Sequence, residues 1–213
     1  MNFTEVISML DQHKNTHGII PKRKFNTLFR ILEVGDDGNC LFYSIEKLNS
    51  KYDYDELREN VCEYYKQFDK SGNYPEDSLK AKLQIQMISD NEEDDGTLHE
   101  DVICNDLEWG GIMDVIALAD ILKTNIVMCL MRKEGYTIQP FMYKSSANTI
   151  FVKYNGRDHF EPLLPKFAVK DCSKSASDEM MDVGMGTKRR KPYKRPMTKK
   201  NKSKSKRKSH RRR

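Results

Sequence analysis

Apolar residues mostly follow a helical repeat as far as Leu122 and afterwards occur in short runs that are typical of strands. The repeat predicts helices over Phe3 to about His13, Cys40–Leu48, Asp53–Phe68, Leu79–Ile88, Leu98–Leu107 and Ile112–Leu122. The short runs predict strands over Phe29–Val34, Asn125–Met131, Tyr136–Tyr143 and Thr149–Tyr154. Helices first and strands later, within one domain-sized stretch, indicate an α+β fold.

Breaks in these patterns predict where the elements end. Gly18 and Pro21 follow the first helix, and Asp90–Gly96 is an acidic stretch that is predicted to be a loop. Asn155-Gly156 is a strong tight-turn signal. Pro162 and Pro165 are predicted to mark the end of the globular body, since periodicity is lost soon afterwards.

Charge is distributed unevenly along the 213 residues. Lys188–Arg213 contains 16 of the 37 Lys and Arg residues and no Asp or Glu, so residues 1–187 have 21 basic and 32 acidic side chains, a net charge of −11. The basic segment has almost no apolar side chains to bury, and its composition predicts a disordered tail. The apolar content of the rest excludes a wholly disordered chain.

The remaining composition excludes several classes of protein. No apolar run is long enough to span a membrane, and the N-terminus lacks the pattern of a secretory signal. The odd set of five cysteines contains no CxxC pair and argues against a disulfide framework or a zinc ribbon; they are Cys40, Cys62, Cys104, Cys129 and Cys172. A reducing, intracellular compartment is therefore expected.

Cys40 is the first candidate for a catalytic residue. It follows the glycine-rich turn Gly35–Asn39 and begins a predicted helix. Amide groups at a helix N-terminus stabilise a thiolate, and the preceding turn can aim further amides at a developing oxyanion. The alternative is that Cys40 is a small buried side chain in a structural helix.

A cysteine nucleophile needs a base, and His159 is the histidine in the best setting. It directly follows a predicted strand and turn, and Glu161 stands two residues further on. If the strand continued there, both side chains would lie on one face, so Glu161 could orient the imidazole. The alternative is a histidine on a surface turn.

Three segments together resemble the ovarian tumour (OTU) family of cysteine proteases. Asp37–Phe42, with the sequence DGNCLF, resembles the nucleophile motif of that family. Trp109-Gly110-Gly111 with the following helix and strand resembles its central block, and Asn155–Glu161 resembles its histidine motif. The three segments occur in family order. The resemblance implies an OTU-type fold, a small central sheet packed between helices, over residues 28–168, with an N-terminal helical extension at 1–27 and the tail at 169–213.

The resemblance also implies the site and its activity, which is cysteine-type hydrolysis of isopeptide bonds at the C-terminus of ubiquitin. Cys40 takes the position of the nucleophile, His159 that of the base, and Asp37 that of the motif aspartate. The backbone from Asp37 through Gly38 and Asn39 to Cys40 would form the oxyanion hole. Glu161 occupies a position where the family usually has Asp or Asn. Trp109 would line the channel for the diglycine tail, although a plain core tryptophan is the alternative. No metal and no cofactor are implied.

The expected partners are ubiquitin or ubiquitinated proteins, and no association with a membrane is expected. The basic tail predicts contact with nucleic acid or an import receptor, with a nuclear location in that case and a cytoplasmic one otherwise. The alternative is a tail that only keeps the protein soluble or docks a partner. The competing function is a non-catalytic adaptor that binds ubiquitin or nucleic acid through an OTU-like body. Self-processing of a larger precursor is a third hypothesis.

Overall fold

The computed structural model describes residues 2–93, 103–105, 107–144, 146 and 148–167. In this part of the chain the helices are α1 (Phe3–Asp11), α2 (Lys22–Leu28), α3 (Cys40–Leu48), α4 (Tyr54–Gln67), α5 (Leu79–Glu93) and α6 (Ile112–Ile121). The strands are β1 (Ile20–Pro21), β2 (Phe29–Ile31), β3 (Asn125–Met131), β4 (Gly135–Phe141), β5 (Thr149–Tyr154) and β6 (Phe160–Pro165). None of the described helices is both long and apolar enough to cross a membrane.

The strands form one mixed sheet in the order β1-β4-β3-β5-β6-β2. β3 and β5 are parallel, and the other neighbouring pairs are antiparallel. Both faces of the sheet are covered, because Ile126 and Met128 of β3 lie in one core whereas Val127 and Cys129 lie in another. Strands buried on both faces are continuously apolar, which accounts for the sequence of β3.

Helices cover the two faces unequally. The larger core packs α3, α4, α5 and α6 on one face, and the smaller core packs α1 and α2 on the other. Asn2 caps α1, since its side chain accepts a hydrogen bond from the amide of Glu5 and its amide donates to the Glu5 carboxylate. The predicted α+β fold, with a sheet between helices, is confirmed.

Two features differ from what the sequence predicted. The first is the predicted acidic loop at Asp90–Gly96, which is wrong as far as Glu93 because α5 includes these residues; acidic residues are compatible with a helix. The second is a single disulfide, which joins Cys62 of α4 to Cys104 with 5.3 Å between their Cα atoms; the argument against a disulfide framework did not anticipate it. Cys40 and Cys129 are free and buried.

Some predictions fall outside the described residues. The helix at Leu98–Leu107 lies largely outside them, and Ile103–Asn105 and Leu107 are in turns. Cys172, the predicted boundary at 168/169 and the basic tail lie outside them as well. Residues assigned to an N-terminal extension contribute β1 to the edge of the sheet and α1 to the smaller core.

Candidate active site

The fold places Cys40 at the first residue of α3, directly after a tight turn. Gly38 has a φ of +91°, a conformation that side chains rarely adopt, and Asn39 precedes the helix as its N-cap. A Cβ atom on residue 38 would lie 1.8 Å from the carbonyl oxygen of Leu107, so only glycine fits here. The turn therefore brings the backbone of the nucleophile motif against the segment that leads to Trp109.

The Cys40 thiol contacts the start of β6. The amide of Phe160 donates a hydrogen bond to Cys40 Sγ at 3.3 Å, and Sγ lies 3.7 Å from the carbonyl oxygen of Asp158. These two groups flank His159 in the sequence. The structure therefore brings Cys40 and the histidine segment together, although more than a hundred residues separate them in the chain.

Burial sets the protonation of this thiol. Desolvation is the largest influence and raises the pKa of Cys40 above its ordinary value of 9.0, and the Asp37 carboxylate adds to the increase. Hydrogen bonds from the amides of Phe160 and Leu41 act in the opposite direction. The helix N-terminus was expected to favour the thiolate, but burial outweighs it in the substrate-free molecule. A base must therefore remove the proton before Cys40 can attack.

This raised pKa predicts how the thiol reacts without substrate. The rate of alkylation of Cys40 by iodoacetamide should rise from about pH 6 to beyond about pH 9 without reaching a plateau. Only the thiolate reacts, and the raised pKa means that the thiolate fraction is still increasing over this range. Peptide mass spectrometry measures the modified fraction at each pH. Cys40→Ala supplies the background from other cysteines. A rate that has already levelled off at neutral pH would contradict the raised pKa.

Asn155 shapes the turn that carries His159. Its side-chain oxygen accepts hydrogen bonds from the amides of Arg157, Asp158 and His159, at 2.9–3.0 Å. Its side-chain nitrogen donates to the Asp158 carboxylate at 2.9 Å. The Asn-Gly turn signal was recognised in the sequence, but this organising role of Asn155 was not.

The predicted hydrogen bond between His159 and Glu161 is absent from the structure. The Nδ1 atom of His159 is buried and has no hydrogen-bond partner among the described residues. The Glu161 carboxylate instead accepts a hydrogen bond from Lys153. The strand begins only at Phe160, so the same-face argument does not reach His159, and the antiparallel register puts Lys153 directly opposite Glu161.

Asp37 is held within its own turn. Its carboxylate accepts hydrogen bonds from the amide of Asn39 and the hydroxyl of Tyr43, both at 3.3 Å. The amide of Asn39, which is one of the amides predicted to form the oxyanion hole, therefore already donates a hydrogen bond to Asp37. The roles of Asp37 and of the other amides stay predictions.

Trp109 lies on the surface of the segment that precedes α6. The residue is 41% exposed, so the alternative of a core tryptophan is excluded. The next residue, Gly110, lies close to α3, since a Cβ atom there would be 2.8 Å from a methyl carbon of Leu41. Asp114 fixes the end of the segment by accepting hydrogen bonds from the amide of Gly111 at 2.6 Å and the hydroxyl of Tyr65 at 2.8 Å. The channel role of Trp109 stays a prediction.

A known protein family matches the part of the chain that carries this candidate site. The model of the OTU-like cysteine protease family matches residues 35–160, a range that starts at the first residue of the glycine-rich turn before Cys40 and ends just after His159. No curated protein matches the chain. No cluster of three or more potential metal-binding side chains occurs in the described part of the chain.

Several solved structures are similar to the structure of this protein. The viral OTU domain protease from Dera Ghazi Khan virus is 16% identical, with a TM-score of 0.48, over 72% of this chain and 94% of that one. The Hazara virus OTU bound to ubiquitin is 19% identical, with a TM-score of 0.48, over 67% and 85%. The viral OTU domain protease from Taggert virus is 17% identical, with a TM-score of 0.47, over 67% and 83%. Since the family model covers more than half of the chain, this protein belongs to the OTU-like cysteine protease family.

Proposed function

We propose that this protein is a deubiquitinase that hydrolyses isopeptide bonds at the C-terminus of ubiquitin. The observation that carries the proposal is the contact of Cys40 Sγ with the backbone on either side of His159. Family membership supports cysteine-type hydrolysis. A similar fold has been solved with ubiquitin bound, in the Hazara virus protein, which suggests the substrate.

The chemistry would proceed in two stages. His159 takes the proton from Cys40, and the thiolate attacks the carbonyl carbon of the terminal glycine of ubiquitin. The tetrahedral intermediate collapses to a thioester as the lysine amine leaves with the proton from His159. Water, deprotonated by His159, then attacks the thioester and releases free ubiquitin with regeneration of the thiol.

Charge offers weaker support. Residues 1–187 have a net charge of −11, from 21 basic and 32 acidic side chains. The C-terminal tail of ubiquitin contains arginines, and this acidic part of the chain would attract it during association. Acidic surfaces are common, so the contact of Cys40 Sγ with the backbone on either side of His159 remains the principal support.

Hydrolysis of a ubiquitin conjugate tests the proposal. The full chain is incubated with ubiquitin that carries a C-terminal fluorophore and with ubiquitin dimers, and free product is measured. The deubiquitinase predicts release of the fluorophore and cleavage of dimers. Ubiquitin binding without any hydrolysis would support the adaptor instead. Cleavage of a fused flanking sequence, but not of ubiquitin conjugates, would support self-processing.

Deleting the basic tail provides a separate prediction. Removal of Lys188–Arg213 should leave hydrolysis of a small ubiquitin substrate nearly unchanged, because the family match ends at residue 160. We propose that this tail directs the protein to the nucleus or to nucleic acid, and that the deletion removes that localisation or binding.

The control for the deletion keeps the tail length. Replacing the tail Lys and Arg residues by Gln should have the same effect as deletion, since either interaction would depend on their positive charges. Nucleic-acid binding by the intact chain should weaken steeply with salt, as measured by fluorescence anisotropy. Loss of hydrolysis on deletion, or binding that is insensitive to salt, would contradict this role.

A further inference from the structure

Arg58 of α4 lies beneath the nucleophile turn. The residue is only 5% exposed, and its guanidinium group stands 4.5 Å from the ring centre of Phe42, two residues after Cys40. A buried arginine remains charged, so its hydrogen bonds must be well made. We propose that Arg58 is a positioning residue for catalysis, which holds the backbone before Cys40 in the geometry that the reaction needs. This inference rests on the proposed function.

The first group of hydrogen bonds connects Arg58 to the nucleophile turn. Nε and Nη2 donate to the side-chain oxygen of Asn39 at 3.0 and 2.5 Å. Nη2 also donates to the carbonyl oxygen of Gly38 at 3.3 Å. Asn39 is itself 1% exposed, and its side chain makes no capping hydrogen bond to α3. Arg58 therefore fixes both residues that precede the nucleophile.

The second group connects the same guanidinium to the segment before Trp109. Nη1 donates to the carbonyl oxygens of Ile103 at 2.7 Å and Asn105 at 2.9 Å. Nη2 donates to that of Glu108 at 2.8 Å. One side chain thus ties two backbone segments together, which the fork of an arginine can do and the single ammonium of a lysine cannot.

The two segments meet in a conformation that needs support. Leu107 has a φ of +69°, which is unfavourable for a leucine, and its carbonyl oxygen lies close against Gly38. Such strained residues persist where the surroundings hold them, and they cluster at functional sites. The hydrogen bonds of Arg58 on either side of this contact provide that restraint.

The consequence for catalysis follows from the sequence of the turn. The backbone of Gly38, Asn39 and Cys40 is the predicted oxyanion hole, and displacing such a group by about 1 Å costs on the order of 10² in rate. Arg58 is itself only 5% exposed, so we do not expect its side chain to contact ubiquitin. Loss of Arg58 should therefore reduce kcat much more than it raises KM.

Arg58→Lys is the decisive variant, because it retains the charge but loses the fork. We expect kcat for the ubiquitin–fluorophore substrate to fall by about 10²-fold, with KM within about threefold of the wild-type value. Lys66→Ala is the matched control on α4; Lys66 is exposed and pairs with Glu63. Its kcat and KM should equal those of the wild type. A folded Arg58→Lys protein with unchanged kcat, or with a change in KM alone, would overturn the proposal.

A second variant serves if Arg58→Lys does not fold, as judged by thermal denaturation. Asn39→Ala removes the acceptor of two Arg58 hydrogen bonds. It removes no helix cap, because the Asn39 side chain makes no capping hydrogen bond to α3. We expect a smaller fall in kcat, again with KM retained. Unchanged kcat in folded Asn39→Ala would then overturn the proposal.

Hydrogen exchange separates this inference from the proposed function. In the substrate-free protein, the Arg58 variant should speed amide exchange in residues 38–41, 103–105, 107 and 108, while exchange in α6 is unchanged. Mass spectrometry measures the exchange, and the Asn39 variant is used if the Arg58 variant does not fold. If the wild type does not hydrolyse ubiquitin conjugates, the proposed function fails, and faster exchange confined to these segments still supports the restraint by Arg58. Unchanged exchange there would overturn it.

Discussion

The Cys40→Ala protein should release no fluorophore from a ubiquitin conjugate above the uncatalysed background. The substitution removes the only atom proposed to form the covalent intermediate, so the loss should be complete within the sensitivity of the assay. Alanine fits the space that the thiol occupies at the start of α3, and the fold should survive. A continuous fluorescence assay at saturating substrate measures this loss.

Cys129→Ala is the matched control for this prediction. Cys129 is also free and buried, but it lies in β3 and faces the smaller core, away from the core that contains Cys40. Its substitution should leave kcat close to the wild-type value even if it lowers the melting temperature. Retained hydrolysis in Cys40→Ala, or complete loss in a folded Cys129→Ala protein, would contradict the assignment of the nucleophile.

Replacing His159 by alanine should reduce kcat by about 10²–10⁴-fold, the range expected when a general base is lost. The pKa of Cys40 is raised by burial, so without the imidazole little thiolate would form at neutral pH. The fold should persist, because the turn is held through the backbone amide of His159 and the side chain of Asn155. Initial rates with the fluorogenic substrate and a thermal melt check both points.

His17→Ala is the control for the histidine. His17 is an exposed residue between α1 and β1, and its substitution should leave the rate unchanged. A His159→Ala rate within a few-fold of the wild type would show that another group is the base. His99, which lies outside the described residues, would then be the next candidate.

Local sequence signals predicted the elements that carry the site. α3 starts at Cys40 as expected, since a glycine-rich turn is followed by helical spacing. β3 and β5 have their predicted bounds, because apolar runs between polar turns define strands that are buried on both faces. These three elements decide where Cys40 lies and where the histidine turn begins.

Elements without a local signal were not predicted. β1 has two residues and β6 contains two prolines, so neither resembles a strand in isolation. β6 exists because β5 and β2 pair with it on either side. α2 was likewise missed, since a short, basic stretch shows little periodicity until Phe25 and Leu28 are buried against the sheet.

The network around the nucleophile could not be predicted because it is non-local. In the sequence, nothing distinguishes Arg58 from any other charged residue of a polar helix. Only the fold brings it beneath Gly38 and Asn39. The pairing of Glu161 with Lys153 depends on the register of β5 and β6. The disulfide between Cys62 and Cys104 likewise joins residues 42 positions apart, and no sequence spacing indicated it.

Covalent capture tests the central claim most directly. The full chain is incubated with ubiquitin whose terminal glycine carries a thiol-reactive electrophile, and the intact mass is measured. We expect the wild type to gain the mass of one ubiquitin, peptide mapping to place the bond on Cys40, and Cys40→Ala to gain nothing. A folded wild-type protein without the adduct, or an adduct that persists in Cys40→Ala, would show that Cys40 is not the nucleophile of a deubiquitinase.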